Sequence, residues 1–525
     1  MKSPFKSVAI ALTAVGIISF LLSCFGSHKE PMKTLSLVNT SNGTVQGALN
    51  SDGSVAAFKG IPYAAPPVGK LRWREPQPAA SWEGTRDAKE FCTSCMQNRV
   101  FTQLPNAPWS EEFMVQDSVS EDCLYLNIWT PATTPEDSLA VLVFIHGGAF
   151  TEGSGSIAVY DGEELAKKGI IVVNINYRLG VFGFFTHPEL TAESANKASG
   201  NYTLLDCIAA LKWIRNNITA FGGDPSHVTI SGQSAGAAIV HALTASPLAK
   251  GLFSGAMAIS GSSLGRFNTR VLADAEKSGV EFAAQKGAKD LATLRELDAA
   301  ALIAKGAGNN PIRFGIVADG YVLPENLKDI FEKGKQNDVP TLTGITADDA
   351  GALNRKVTRR EFTENAKRAF GAKVDDFLAL YPAATDEEAA GNAIQAARDM
   401  NKMETYKWAA FRAKTATTPA YTYYFDRAIP WPEHPEFGAF HSGDLPYYFL
   451  TLKKFDRPWT TADTLVAETV SSYWVNFVKT GNPNGNSLPE WPAFDADQKV
   501  TFRLGEKPEV MPLADEQMIE FYIGL

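Results

Sequence analysis

With 525 residues, 45% of them hydrophobic and 20% charged, the chain has material for a large apolar core and does not have the composition of a disordered or fibrous protein. Its net charge of -9 comes from scattered residues, with no acidic tail and no basic stripe. Nucleic-acid binding therefore has no electrostatic footprint here.

The first residues are a different material from the rest. Lys2 and Lys6 precede a mainly apolar run from Val8 to Leu22, followed by Ser23 and Cys24. A basic start before such a run predicts an export signal over residues 1–24, the run being shorter than the ~18–20 residues a spanning helix needs. Leu21-Leu22-Ser23-Cys24 resembles a bacterial lipobox, in which the cysteine is lipidated and becomes the mature N-terminus. Residues 25–525 are then expected as one domain in the cell envelope, as a lipoprotein or periplasmic protein, or else secreted, with a membrane tether only through Cys24. Export makes a disulfide plausible. Cys123 can pair with Cys95 or Cys92, whereas Cys207 lies in an apolar helical run and reads as a buried thiol. Cys92-x-x-Cys95 has no second ligand pair, so no metal is expected.

Along the body, short apolar runs alternate with helical patterns, the signature of an α/β sheet flanked by helices. Leu139 to His146 and Ile170 to Asn176 read as strands buried on both faces. Leu204 to Asn217 has helical spacing, Phe221 to Pro225 reads as a turn, and Val228 to Ser231 as a strand. Ala273 to Lys305 and Arg359 to Lys414 look helical, with strands expected at Val339 to Ile345 and Tyr421 to Phe425.

Chemistry concentrates at Gly232-Gln233-Ser234-Ala235-Gly236. The Gly-x-Ser-x-Gly pattern alone is weak, but a strand runs into it and a helix runs out, as a nucleophile elbow requires. A serine hydroxyl needs a base and an orienting acid, which follow it in the order acid, then histidine. That order removes His28, His146, His187 and His227. His241 lies two turns along the outgoing helix, which turns it away. His434 and His441 remain, His441 in a Gly-rich loop that can reach the serine. The acid is Asp348 or Asp349, just past the strand at Val339 to Ile345. His146-Gly147-Gly148-Ala149-Phe150 follows a buried strand and suggests an oxyanion hole completed by the N–H of Ala235.

These residues resemble the type-B carboxylesterase and cholinesterase family over nearly the whole mature chain. Gly60 to Ala64, Leu71-Arg72-Trp73, Glu121 to Asn127, Asn176-Tyr177-Arg178, Phe221 to Pro225 and Thr480 to Gly485 match its motifs in order. The resemblance implies an α/β-hydrolase fold, a mostly parallel sheet with helical insertions capping the active site. It implies Ser234 as nucleophile, His441 as base through His-x-Gly-Asp/Glu-x-Pro-Tyr, and oxyanion donors at Gly148, Ala149 and Ala235. The acid falls on Asp349, where the family usually has glutamate, and Asp348 stays an alternative because Asp348-Asp349-Ala350-Gly351 shifts the glycine. Gln233 stands where glutamate is usual, which removes a buried charge and implies little for the triad. A Cys95–Cys123 disulfide and two ion pairs, Arg72 with Glu121 and Arg178 with Asp206, are also implied, and Cys92 is left unexplained.

The expected reaction is hydrolysis of a small-molecule ester through an acyl-serine, without metal or organic cofactor. Amide, lipid or polyester hydrolysis on the same scaffold is the near alternative, and a non-catalytic binding protein the distant one. Trp109, Phe113, Phe314, Tyr424 and Trp431 are candidates for the pocket wall. Oligomeric state is open.

Overall fold

The computed structural model describes residue 1 and residues 34–99, 108–261, 269–304, 312–349, 357–513 and 515–523. The leader with Cys24, His28, the end of the helical stretch at Lys305, and Ala350-Gly351 lie outside these.

Among the described residues eleven strands form the central sheet: β1 (Ala48–Leu49), β2 (Ala56–Pro62), β3 (Tyr125–Thr130), β4 (Leu139–Ile145), β5 (Ile171–Ile175), β6 (Gly223–Gln233), β7 (Gly255–Ile259), β8 (Thr341–Thr346), β9 (Ala420–Phe425), β10 (Val500–Leu504) and β11 (Glu509–Pro512). Their order across the sheet is β11-β10-β9-β8-β7-β6-β4-β5-β3-β2-β1. From β5 to β10 the pairings are parallel, and antiparallel strands complete both edges. The strand predicted at Val228 to Ser231 is the regular end of β6. Its register shifts between Gly223 and Val228, where the sequence suggests a turn.

Alternation along β4 explains the layering. Val141, Val143 and Ile145 join one apolar cluster with helices α1 (Tyr202–Asn217) and α2 (Ala235–Ala245). Leu142 and Phe144 join another with Val466, Val470, Trp474 and Phe477. A strand buried on both faces must therefore be apolar at every position, as it is here. The result is a mostly parallel sheet between two helical layers, the architecture that the resemblance implies.

The helical stretches are shorter than the sequence suggests. The first yields α3 (Leu272–Gln285) followed by single turns. The second divides into α4 (Arg359–Phe370), α5 (Val374–Leu380) and α6 (Asp386–Thr415). Pro382 cannot continue a helix, and the Thr385 hydroxyl accepts from the Glu388 N–H at 3.1 Å to start a new one. α7 (Thr461–Thr480) starts with a capping box between Thr460 and Asp463. The C-terminal α8 (Glu516–Ile523) packs through Met518 and Phe521 into a third cluster with Phe362, Phe377 and Met403. Among the described residues no helix is long and apolar enough to cross a membrane.

β4 lies between β5 and β6, so the connections leaving its neighbourhood run to opposite sides. In open α/β sheets the crevice beyond the carboxyl ends of strands at such a switch point is where ligands bind. β4 ends at Ile145 and β6 at Gln233, one residue before Ser234.

Candidate active site

Ser234 joins β6 to α2 with φ 58° and ψ -120°. A side chain rarely adopts this backbone, which costs about 1–3 kcal/mol and must be held by its surroundings. The Ser234 N–H donates to the Ile259 carbonyl at 2.8 Å and its carbonyl accepts from Ala238 at 3.1 Å. Gly236 permits the close approach: a Cβ there would lie 2.0 Å from the Ile145 carbonyl oxygen at the end of β4. Strand and helix can meet this tightly only without that atom.

Two contacts then link residues far apart in the chain. His441 Nε2 lies 2.6 Å from Ser234 Oγ, and His441 Nδ1 lies 2.7 Å from Asp349 Oδ1. Asp349 Oδ2 accepts from the Thr346 hydroxyl at 3.3 Å, which fixes the carboxylate at the end of β8. With its proton on Nδ1 facing the carboxylate, the imidazole presents the Nε2 lone pair to the serine hydroxyl. Asp348 faces elsewhere. Its Oδ1 pairs with Arg398 of α6 and its Oδ2 accepts from the Ala439 N–H at 2.9 Å. It thus braces the segment that leads into His441.

Three other histidines are engaged away from the serine. His146 stacks on Tyr177, its centroid 4.3 Å away, and burial holds it down to about 4, so it is neutral. His241 is buried against Trp408 and Phe331, and burial and Arg412 hold it down to about 3. His434 Nδ1 lies 3.0 Å from Glu436.

Beyond β4 the backbone turns sharply. Gly148 has φ +111°, and a Cβ there would meet the Glu152 carbonyl oxygen at 2.0 Å. Ala149 and Phe150 follow with φ 53° and 64°. Gly147, Gly148 and Ala149 line one cavity together with Ser234 and His441. Ala235 begins α2, where the first N–H groups have no partner within the helix. The far wall comes from Trp109, Phe113, Met114, Val115, Ile157 and Tyr160.

Of the five aromatic candidates, the structure brings Trp109 and Phe113 to this cavity. Phe314 packs on Phe185 and Phe282, Tyr424 lies beneath Lys402, and Trp431 beneath Arg457. Met114, Val115, Ile157 and Tyr160 escape sequence reasoning because nothing but their neighbours marks them. Gln233 is closer to the triad than the sequence implies, its amide donating to the His441 carbonyl at 2.8 Å. Asp444, buried beside the site, accepts from the Tyr448 hydroxyl at 2.8 Å. Burial, reinforced by the charge of Asp349, pushes its carboxyl up to about 7.

The supporting contacts are in place. Cys95 and Cys123 form a disulfide, while Cys92 packs over Gly60 as a half-buried thiol whose pKa burial raises. Cys207 is a buried free thiol. Arg72 grips Glu121 at 2.7 and 2.5 Å, and Arg178 grips Asp206 at 2.8 and 2.7 Å.

The chain is similar to known proteins over most of its length. The profile described as "Carboxylesterase family" matches residues 34–522. The chain is 35% identical over 476 residues to fumonisin B1 esterase of Sphingopyxis macrogoltabida, covering 87% of this chain and 84% of that one. It is 35% identical to para-nitrobenzyl esterase of Bacillus subtilis (strain 168), covering 90% and 95%. Mouse cholinesterase is 30% identical, covering 94% and 87%.

Proposed function

The chain belongs to the carboxylesterase family and is a serine ester hydrolase, and from that premise we propose that Ser234, His441 and Asp349 carry out its chemistry. His441 Nε2 takes the hydroxyl proton as Ser234 Oγ attacks the ester carbonyl, and Asp349 holds the imidazole in the productive tautomer and stabilises the imidazolium. The backbone N–H groups of Gly148, Ala149 and Ala235 receive the oxyanion, each contributing about 3 kcal/mol of transition-state stabilisation. His441 then returns the proton to the departing alcohol. Water, deprotonated by the same imidazole, attacks the acyl-serine and releases the acid.

The observation that carries this reading is the continuous contact from Asp349 through His441 to Ser234, 2.7 and 2.6 Å long. Its support lies in residues that arrive from two strand ends of one sheet and from the loop before Leu445. It also argues against a non-catalytic scaffold, which needs no base within reach of the serine. Ser234→Ala should keep the fold and abolish turnover of p-nitrophenyl esters; turnover near wild type would refute the assignment.

We infer in addition that residues 1–24 direct export and that Cys24 carries the lipid. The run from Val8 to Leu22 behind Lys2 and Lys6, ending in Leu21-Leu22-Ser23-Cys24, supports this. Labelling of growing cells with an alkynyl fatty acid should mark the wild type and not Cys24→Ala. Equal labelling of both would contradict it.

A further inference from the structure

The cavity wall and the catalytic loop are joined by a hydrogen-bond chain that the acyl-transfer reaction does not itself require. Trp109 Nε1 donates to Ser442 Oγ at 3.2 Å, and Gln233 Nε2 donates to the same oxygen at 3.4 Å. The same amide nitrogen donates to the His441 carbonyl at 2.8 Å. Gln233 and Ser442 are buried, so these bonds are shielded from competing water. A hydroxyl oxygen has two lone pairs, which suits Ser442 to receive from both sides.

The identity of residue 233 fits this direction of donation. A carboxylate has no proton to give and would face the His441 carbonyl and the Ser442 oxygen as a third acceptor. One further contact joins the same two segments, and another ties the wall to Arg457. Phe113 packs edge-on against Phe440 with centroids 5.8 Å apart. Arg457 donates to the Ser110 hydroxyl at 3.0 Å while lying over the Trp431 ring.

Resting on the acyl-serine reading above, we propose that Trp109, Ser442 and Gln233 are positioning residues. Their hydrogen-bond chain ties the aromatic wall of the ester cavity to the main chain of His441. Wall and base then hold one shared arrangement, and the indole N–H of Trp109 serves catalysis as well as its ring serves binding. Displacement of a catalytic group by a fraction of an ångström is felt in turnover, because proton transfer requires hydrogen-bond contact.

The test is a double-mutant cycle on the full mature chain, with p-nitrophenyl acetate as substrate. Trp109→Phe keeps an aromatic ring at the wall, smaller than the indole, and removes the N–H; Ser442→Ala removes the shared acceptor. Each should lower kcat about fivefold, the loss of one ordinary hydrogen bond, with KM within about twofold of wild type. The double variant should be no slower than about either single one, since both break the same chain. Ser442→Thr, which keeps the hydroxyl, should restore most of kcat. One variant removes the donor at the end of the chain and the other the acceptor in its middle, so a folding defect in one leaves the other informative. Multiplying losses, or an effect on KM alone, would overturn the coupling and leave the triad intact. Turnover persisting in Ser234→Ala would instead overturn the acyl-serine reading beneath it.

Discussion

Asp348 is paired with Arg398, whose Nε stands 3.0 Å from its Oδ1, and so the first of two adjacent carboxylates is committed before the chain reaches His441. Its neighbour Asp349 is the one that meets the imidazole, at 2.7 Å. Consecutive residues project in different directions where a strand gives way to a turn. One aspartate can therefore serve the architecture and the other the reaction.

This separation gives two distinct phenotypes. Asp349→Asn should lower kcat by about 10³- to 10⁴-fold with little change in stability, because an amide favours the wrong imidazole tautomer. Asp348→Asn should instead lower the thermal midpoint through the lost partner of Arg398 and the Ala439 N–H, with a far smaller effect on kcat. Steady-state kinetics and thermal denaturation of both variants check this; reversed phenotypes would exchange the two roles.

Gly236→Ala adds a single methyl group at the tightest point of the elbow. Its Cβ would stand 2.0 Å from the Ile145 carbonyl, so strand, helix or serine must move. We expect kcat below about 1% of wild type or loss of soluble protein, a displacement of the nucleophile by about 1 Å being sufficient. Near-normal turnover would mean that the elbow can relax at no cost.

Much of this site was legible in the sequence, for identifiable physical reasons. The elbow announces itself because close approach demands glycine at fixed offsets, and the buried strands β4 and β5 because both faces must be apolar. β7 was not legible. Gly255-Ala-Met-Ala-Ile is built of small residues with poor strand propensity, and becomes a strand only because it fits between β6 and β8. The Gln233 contact was equally hidden. Its partner lies 208 residues further along, and no local pattern encodes where that loop docks. Chain order and the direction of the outgoing helix leave two histidines as base, and of these the fold brings His441 to the serine.

Asp444 links stability to pH. Its carboxyl is raised from the ordinary carboxylate range to about 7, so the folded protein binds this proton more tightly than the unfolded chain does. Stability from the protonated form is complete below the unfolded pKa of about 4 and is lost as pH rises through the folded value. Asp444→Asn mimics the protonated form and keeps an acceptor for Tyr448. The midpoint of wild type relative to this variant should fall between about pH 4 and about pH 7 and level off above. A constant difference across that range would contradict the assignment.

The disulfide is expected to serve binding more than chemistry. Cys95 and Cys123 lie 28 residues apart and close a segment that carries Trp109, Phe113, Met114 and Val115. Replacing both with serine should cost about 3.5 kcal/mol of stability by the loop-entropy relation. KM for p-nitrophenyl esters should rise more than kcat falls, read from denaturant titration and kinetics. A loss confined to kcat would place the segment's influence elsewhere.

Activation of Ser234 by His441 can be read with a fluorophosphonate and mass spectrometry of the labelled peptides. One adduct is expected, on Ser234, absent from Ser234→Ala and formed at least about 10²-fold more slowly in His441→Ala. An adduct on another serine, or undiminished labelling in folded His441→Ala, would contradict it.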